Sequence, residues 1–247
     1  MRSVPKPRDS NPWEAGPLTN EPGHASIQVM NDQAGTSRGP LRLGVLLSGG
    51  GRTLLNILDE VRAARLAAEV AVVIASRQCK GAERAAAAGL DVRVVPYKLM
   101  PDPARYSSAL AEILDQAGVE LVCLAGFLSM WIIPDRYLGR VINIHPALLP
   151  SFGGKGMFGH HVHEAVLKRG CKVSGCTVHF VTNEYDAGPI ILQKCVPVRD
   201  SDSPDDLADR VFEKECEAYP EAIRLFQAGR LRIEGGIVRI RREEGSR

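Results

Sequence analysis

Short, predominantly apolar runs alternate along most of this chain with stretches in which apolar residues recur at helical spacing, and that alternation limits the fold more than any other feature. The runs are Leu41 to Leu47, Val70 to Ala75, Val92 to Val95, Leu121 to Ala125 and Val141 to Ile144. Between them, Leu54, Ile57, Leu58 and Val61 share one helical face, Gly81 to Ala88 is an alanine-rich helical stretch, and Pro103 to Gln116 reads as another helix. A strand with no polar face must be covered on both sides, and strands separated by helices run parallel. The last third changes character. Thr177 to Val181 and Ile190 to Val198 are strand-like and joined by a short loop, and Pro204 to Ala228 reads as a long helix interrupted at Pro220. Leu231 to Ile233 and Ile237 to Ile240 flank Glu234-Gly235-Gly236, a hairpin signal. The expected fold is a doubly wound, mostly parallel α/β sheet with an antiparallel C-terminal extension.

At 247 residues and 45% hydrophobic, the chain can bury one substantial core, so a single domain over residues 41–241 is expected. Met1 to Pro40 is rich in Pro, Gly, Asn, Ser and Asp without a sustained apolar period, and reads as a disordered tail; 242–247 reads as a flexible C-terminus. The net charge of +2 gives no argument for nucleic acid or membrane affinity. No apolar run approaches the ~18 residues of a membrane span, and the N-terminus lacks an apolar signal region. Six cysteines without a CxxC pair favour a reduced, cytoplasmic protein.

Four places could carry chemistry. Ser48-Gly49-Gly50-Gly51-Arg52-Thr53 follows a strand and opens a helix, so backbone N–H groups converge where an anion, phosphate above all, would sit. It lacks the Gly-Lys-Ser/Thr of a P-loop, and Leu54 stands where a dinucleotide fingerprint has its last glycine, so a ligand-free tight turn stays open. In Asn143-Ile144-His145-Pro146, at a strand end, period-two alternation puts Asn143 and His145 on one side. An amide donor beside an imidazole suits a carbonyl oxygen that becomes an oxyanion; a histidine satisfying a loop carbonyl is the alternative. Asp186, in Tyr185-Asp186-Ala187-Gly188-Pro189, is either ordinary turn chemistry or a carboxylate that orients an imidazole. Glu215 occupies the middle rung of the apolar ladder Leu207, Val211, Tyr219, Ile223, where it needs an internal arginine, a polar ligand or a solvent boundary. His160, His161 and His163 lack a familiar metal-ligand spacing and read as solvated histidines at a helix start, so no metal is expected.

Taken in order, the segments VLLSGGGRTLLN, LAGF at Leu124 to Phe127, NIHPALLPSF at Asn143 to Phe152, SGCTVHFV at Ser174 to Val181, YDAGPIILQ at Tyr185 to Gln193 and EAYP at Glu217 to Pro220 resemble the glycinamide ribonucleotide formyltransferases of purine synthesis. The resemblance covers Leu41 to Ile240 and implies a Rossmann-type, formyltransferase-like fold. It implies transfer of a formyl group from 10-formyltetrahydrofolate, the cosubstrate, to the amine of glycinamide ribonucleotide, with no metal. It makes Asn143, protonated His145 and Asp186 the catalytic trio, with Asp186 favouring the charged imidazole. Gly49, Gly50, Gly51, Arg52 and Thr53 would hold the substrate phosphate, and Glu215 would bind the same substrate. Arg84 would lie near the folate tail, and Leu128, Ser129, Met130, Trp131, Asn143, Thr182 and Asp186 would line the folate pocket. A monomer or homodimer is expected. The chain departs from the family at Gly50 and Thr53, where many members carry asparagine. It also has one extra residue between Phe127 and Pro134 and a longer loop over Gly153 to Gly159.

Relatives with the same core set the alternatives. A formyltetrahydrofolate hydrolase would carry an N-terminal regulatory domain, for which forty Pro/Gly-rich residues are too few, and a methionyl-tRNA formyltransferase a large C-terminal RNA-binding domain, for which the sequence beyond Ile240 leaves no room. A formyltransferase for another amine and an inactive folate-binding homologue stay open.

Overall fold

A computed structural model describes residues 39–100 and 102–242. The expectations for a disordered tail and a flexible C-terminus therefore fall, apart from Gly39, Pro40 and Arg242, outside the described residues.

The first half is a run of strand–helix units: β1 (Leu41–Leu47), α1 (Arg52–Arg62), β2 (Ala68–Ala75), α2 (Lys80–Ala87), β3 (Val92–Val94), α3 (Pro103–Gln116), β4 (Leu121–Leu124) and β5 (Val141–His145). There follow α4 (His160–Arg169), β6 (Val173–Phe180), β7 (Ile190–Pro197), α5 (Pro204–Gln227), β8 (Leu231–Glu234) and β9 (Ile237–Ile240). Seven strands form one sheet in the order β3-β2-β1-β4-β5-β6-β7. β1 to β5 pair in parallel, whereas β6 and β7 join antiparallel, and β8 with β9 forms a separate antiparallel hairpin. The doubly wound α/β expectation holds, with the antiparallel part both inside the main sheet and beyond it.

Both sheet faces are buried. Leu43, Val45, Leu47, Cys123, Ile142 and Ile144 pack with Leu54 and Ile57 of α1 and Leu207, Val211, Tyr219 and Ile223 of α5. Leu46, Val72, Ile74, Val122 and Val141 pack on the other side with Tyr106, Leu110 and Leu114 of α3. Asp102 caps α3 and Ser203 with Asp206 forms a capping box on α5, each followed by proline at the first helical position, where a missing N–H is harmless. The Tyr219 hydroxyl, buried under the sheet, reaches the carbonyls of Leu124 (2.9 Å) and Ile142 (3.0 Å) and so ties α5 to β4 and β5.

Two expectations need correction. The helix is not interrupted at Pro220: α5 runs unbroken from Pro204 to Gln227. Proline leaves the carbonyl of Cys216, four residues back, without its helical donor. The Asn56 side-chain amide of α1 donates to that oxygen at 3.1 Å and replaces the lost bond. Strand β6 starts at Val173 rather than Thr177, because pairing of Val173–Cys176 with Pro197–Lys194 of β7 makes a strand of a segment whose Ser174 and Gly175 hide the pattern.

Candidate active site

The strand order reverses between β1 and β4, and the crevice outside the carboxyl ends of strands at such a point is where open α/β sheets bind ligands. Two constellations flank it.

The first is the glycine turn after β1. Gly51 adopts φ +74°, and a Cβ there would lie 2.8 Å from the Cα of Gly81, so the starts of α1 and α2 can approach only with glycine at both positions. Three of the turn's carbonyls are engaged from the α2 side: Arg77 Nε donates to Ser48 O (2.8 Å), the Gly81 N–H to Gly49 O (2.9 Å) and Arg84 Nη1 to Gly50 O (2.6 Å). No side chain caps α1, and among the described residues no hydrogen bond takes up the N–H groups of Gly49, Gly50, Gly51, Arg52 or Thr53. Five N–H groups at this helix start therefore have no protein acceptor among the described residues. Across from them Arg52 lies over the Phe212 ring of α5, 3.8 Å from its centroid, and pairs with Asp209 at 3.2 Å. Glu215 has no hydrogen bond or ion pair among the described residues, and burial, opposed by the charge of Arg52, pushes its carboxyl up to about 7. Of the partners the sequence left open for Glu215, a bonded internal arginine is absent, since Arg52 is committed to Asp209.

The second constellation joins β5 and β6. Ile142 and Ile144 enter the main core, so Asn143 and His145 share the opposite side of the strand. Antiparallel pairing sets His179 directly across from Asn143 and Thr177 across from His145. His179 Nδ1 lies 2.8 Å from Phe180 O, and a carbonyl can only accept, so Nδ1 carries the proton. In the neutral ring Nε2 then accepts from Asn143 Nδ2 at 3.2 Å, which leaves the amide's second N–H for another acceptor. By the same logic His145 Nε2–H donates to Phe152 O at 2.8 Å, so Nδ1 is its free nitrogen, 3.6 Å from Asp186 Oδ2. Asp186 sits at φ +53°, a conformation aspartate tolerates, and accepts the Gly154 N–H at 2.8 Å. Thr177 fastens the following loop: its hydroxyl donates to Ala147 O (2.6 Å) and accepts from the Leu149 N–H (3.0 Å).

Burial lowers the pKa of His145 below its ordinary value and outweighs the opposing charge of Asp186 and the Phe152 carbonyl. In the unliganded site this direction favours the neutral imidazole, because desolvation of the buried ring exceeds the effect of one carboxylate 3.6 Å away. Burial raises the Asp186 carboxyl, but the two neighbouring rings, His179 first and then His145, together with the Gly154 N–H hold it below its usual range.

Asn143, His179 and Asp186 line one cleft. Phe127, Ser129, Met130, Trp131 and Ile133 make one wall, Thr182 to Asp186 the other, with Leu124, Asn143 and His179 between. Two residues expected to contact the folate do not line this cleft. Leu128 turns its side chain to solvent while its N–H bonds Ser48 Oγ at 2.9 Å, and Arg84 is held at the glycine turn and does not line the cleft. The expectation of solvated histidines fails for His163. His160 and His161 are exposed, but the helical period turns His163 inward beside Val162 and Val166, where burial lowers its pKa to about 4 and Nδ1 finds no partner among the described residues. Sequence reasoning passed over His179; its signal was the Thr177, His179 alternation in an otherwise apolar strand, a polar face that must meet another.

A family model described as formyl transferase matches residues 41–223. The trifunctional purine biosynthetic protein adenosine-3 of Bos taurus is 38% identical over 195 residues, 78% of this chain and 19% of the relative, so the chain spans roughly a fifth of that protein's length. The chloroplastic phosphoribosylglycinamide formyltransferase of Arabidopsis thaliana is 39% identical over 204 residues, 79% of this chain and 69% of the relative. Among solved structures, glycinamide ribonucleotide transformylase 1 from Symbiobacterium toebii matches with a TM-score of 0.76 and 46% identity, over 81% of this chain and 94% of that one.

Proposed function

The chain belongs to the formyl transferase family, and from that premise we propose that it transfers the formyl group of 10-formyltetrahydrofolate to the primary amine of glycinamide ribonucleotide, yielding formylglycinamide ribonucleotide and tetrahydrofolate in purine synthesis. The observation that carries this reading is the Asp186 carboxylate, which lines one cleft together with Asn143 and lies 3.6 Å from His145 Nδ1. The fit of each substrate supports it. The apolar walls at Phe127, Met130 and Trp131 suit a flat heterocycle, and the unpartnered N–H groups of Gly49 to Thr53 suit a phosphate. Glu215, without a hydrogen-bond or ion-pair partner among the described residues, is available to the ribonucleotide.

The folate supplies a formyl group on a nitrogen able to leave. As the ribonucleotide amine adds to the formyl carbon, the carbonyl electron pair moves onto oxygen, and the uncommitted N–H of Asn143 stabilises the charge there. The attacking nitrogen becomes positive. The neutral His145 Nδ1 takes its proton, and the resulting imidazolium is held between Phe152 O and the ionised Asp186. His145 then returns that proton to the folate nitrogen as the bond from carbon to that nitrogen breaks. Atoms and charge balance, and holding the two substrates in line accounts for much of the acceleration. The free thiols at Cys79, Cys123, Cys171, Cys176, Cys195 and Cys216 suit a reducing compartment, so we place the reaction in the cytoplasm. Among the described residues no helix is long and apolar enough to cross a membrane.

The test is to supply 10-formyltetrahydrofolate labelled with ¹³C in the formyl group together with glycinamide ribonucleotide. Label recovered in formylglycinamide ribonucleotide is expected; label recovered only as formate would make the protein a hydrolase instead.

A further inference from the structure

The two walls of the cleft are joined by one side chain. Asn183, from the wall between β6 and β7, accepts the backbone N–H of Ile133, on the wall after β4, through Oδ1 at 2.9 Å. The geometry points to Asn183 as a positioning residue that sets the width of the cleft, and so the affinity for the folate cosubstrate. This rests on the formyl-transfer reading and adds to it a residue that touches neither reacting centre.

The wall after β4 has little structure of its own. Trp131 is buried against Tyr137, but among the described residues the backbone of Ser129, Met130 and Trp131 makes no hydrogen bond, so the segment's backbone is held by the bonds on either side. Those bonds come from three side chains. Ser48 Oγ accepts the Leu128 N–H (2.9 Å), Ser107 Oγ accepts the Ile132 N–H (2.9 Å), and Asn183 accepts the Ile133 N–H. The two serines are buried in the body of the domain. Asn183 alone of the three belongs to the facing wall, so its bond fixes one wall relative to the other.

The facing wall depends on the same bond. Its base is closed by the Phe180 N–H to Pro189 O and the Val181 N–H to Val141 O, both 2.9 Å. From Thr182 to Tyr185, the other hydrogen bonds among the described residues are the long 3.4 Å contacts between Thr182 Oγ1 and Glu184. Asp186, three residues further on, has its own anchor in the Gly154 N–H, so loss of the staple leaves the carboxylate in place. Asn183 is exposed, and removing its side chain opens no core.

The experiment is equilibrium dialysis of 10-formyltetrahydrofolate against wild type, Asn183→Ala and Asn183→Asp, with steady-state kinetics and thermal melts on each. Loss of one hydrogen bond from Asn183→Ala should weaken binding on the order of five- to tenfold. KM for the folate should rise in step, while kcat at saturation and the melting temperature stay near wild type. Asn183→Asp keeps the acceptor and should bind within about twofold of wild type. Wild-type affinity in Asn183→Ala, or equal weakening in both variants, would overturn the staple while leaving the formyl-transfer reading intact. A wild-type protein that does not bind the folate would overturn that reading and the staple together.

Discussion

The glycine turn and the β5–β6 constellation flank the same crevice but are built in opposite ways. The turn offers its ligand backbone N–H groups, which are available because Arg77, Gly81 and Arg84 occupy its carbonyls and glycine lets α1 and α2 approach closely. The β5–β6 constellation offers side chains, and each is oriented by another: His179 orients Asn143, Phe152 O sets the tautomer of His145, and the Gly154 N–H steadies Asp186. A backbone site should be sensitive to shape and tolerant of chemistry; a side-chain site should be the reverse.

The sharpest break between the two should come from Asn143→Ala. It removes the amide donor assigned to the developing oxyanion, and kcat should drop about 10²- to 10³-fold with KM for the ribonucleotide little changed. Gly51→Ala should do the converse. A methyl group 2.8 Å from Gly81 Cα, at φ +74°, should destabilise the fold by about 2–3 kcal/mol and raise KM for the ribonucleotide at least about tenfold, with kcat at saturation nearly kept. A fall in kcat as large as that of Asn143→Ala would mean the turn does more than hold an anion.

A smaller effect is expected at His163, where the helix leading away from the crevice buries a neutral ring. Its pKa of about 4 lies below the ordinary histidine value, so its contribution to stability is complete above about pH 6.5 and is lost as the pH falls toward 4. Urea unfolding at pH 7 and pH 4.5 should show His163→Leu losing about 2 kcal/mol less than wild type over that interval. Equal losses would place the ring in contact with solvent. The smallest effect belongs to Asn56→Ala, which strands the Cys216 carbonyl freed by Pro220: about 1 kcal/mol in a melt, with both KM values unchanged.

The same contrast explains what could be read in advance. The turn is local, and the residues that make it, Ser48 to Thr53, are contiguous, so strand, glycines and helix announce it together. The apolar runs likewise mark β1 to β5 to within a few residues, because burial on both faces leaves a one-dimensional trace. The side-chain site is assembled across 44 positions, from Asn143 to Asp186, by antiparallel pairing and a loop return that no local pattern encodes. The family resemblance named Asn143, His145 and Asp186 as one trio; the β5–β6 register brings their side chains together and adds His179. Pro220 misled for a related reason, since the donor that rescues its helix, Asn56, lies 160 residues away from Cys216. Arg84, which the resemblance puts near the folate tail, is exposed and also donates to Gly50 O.

The central claim is that His145 moves the proton in formyl transfer to an amine. It is tested most directly by tetrahydrofolate release from 10-formyltetrahydrofolate, with and without glycinamide ribonucleotide, in wild type and His145→Ala. The account predicts release that requires the ribonucleotide in wild type and falls about 10²- to 10⁴-fold in His145→Ala, with the melting temperature and folate binding retained. Release at the wild-type rate in His145→Ala, or release indifferent to the ribonucleotide, would contradict it.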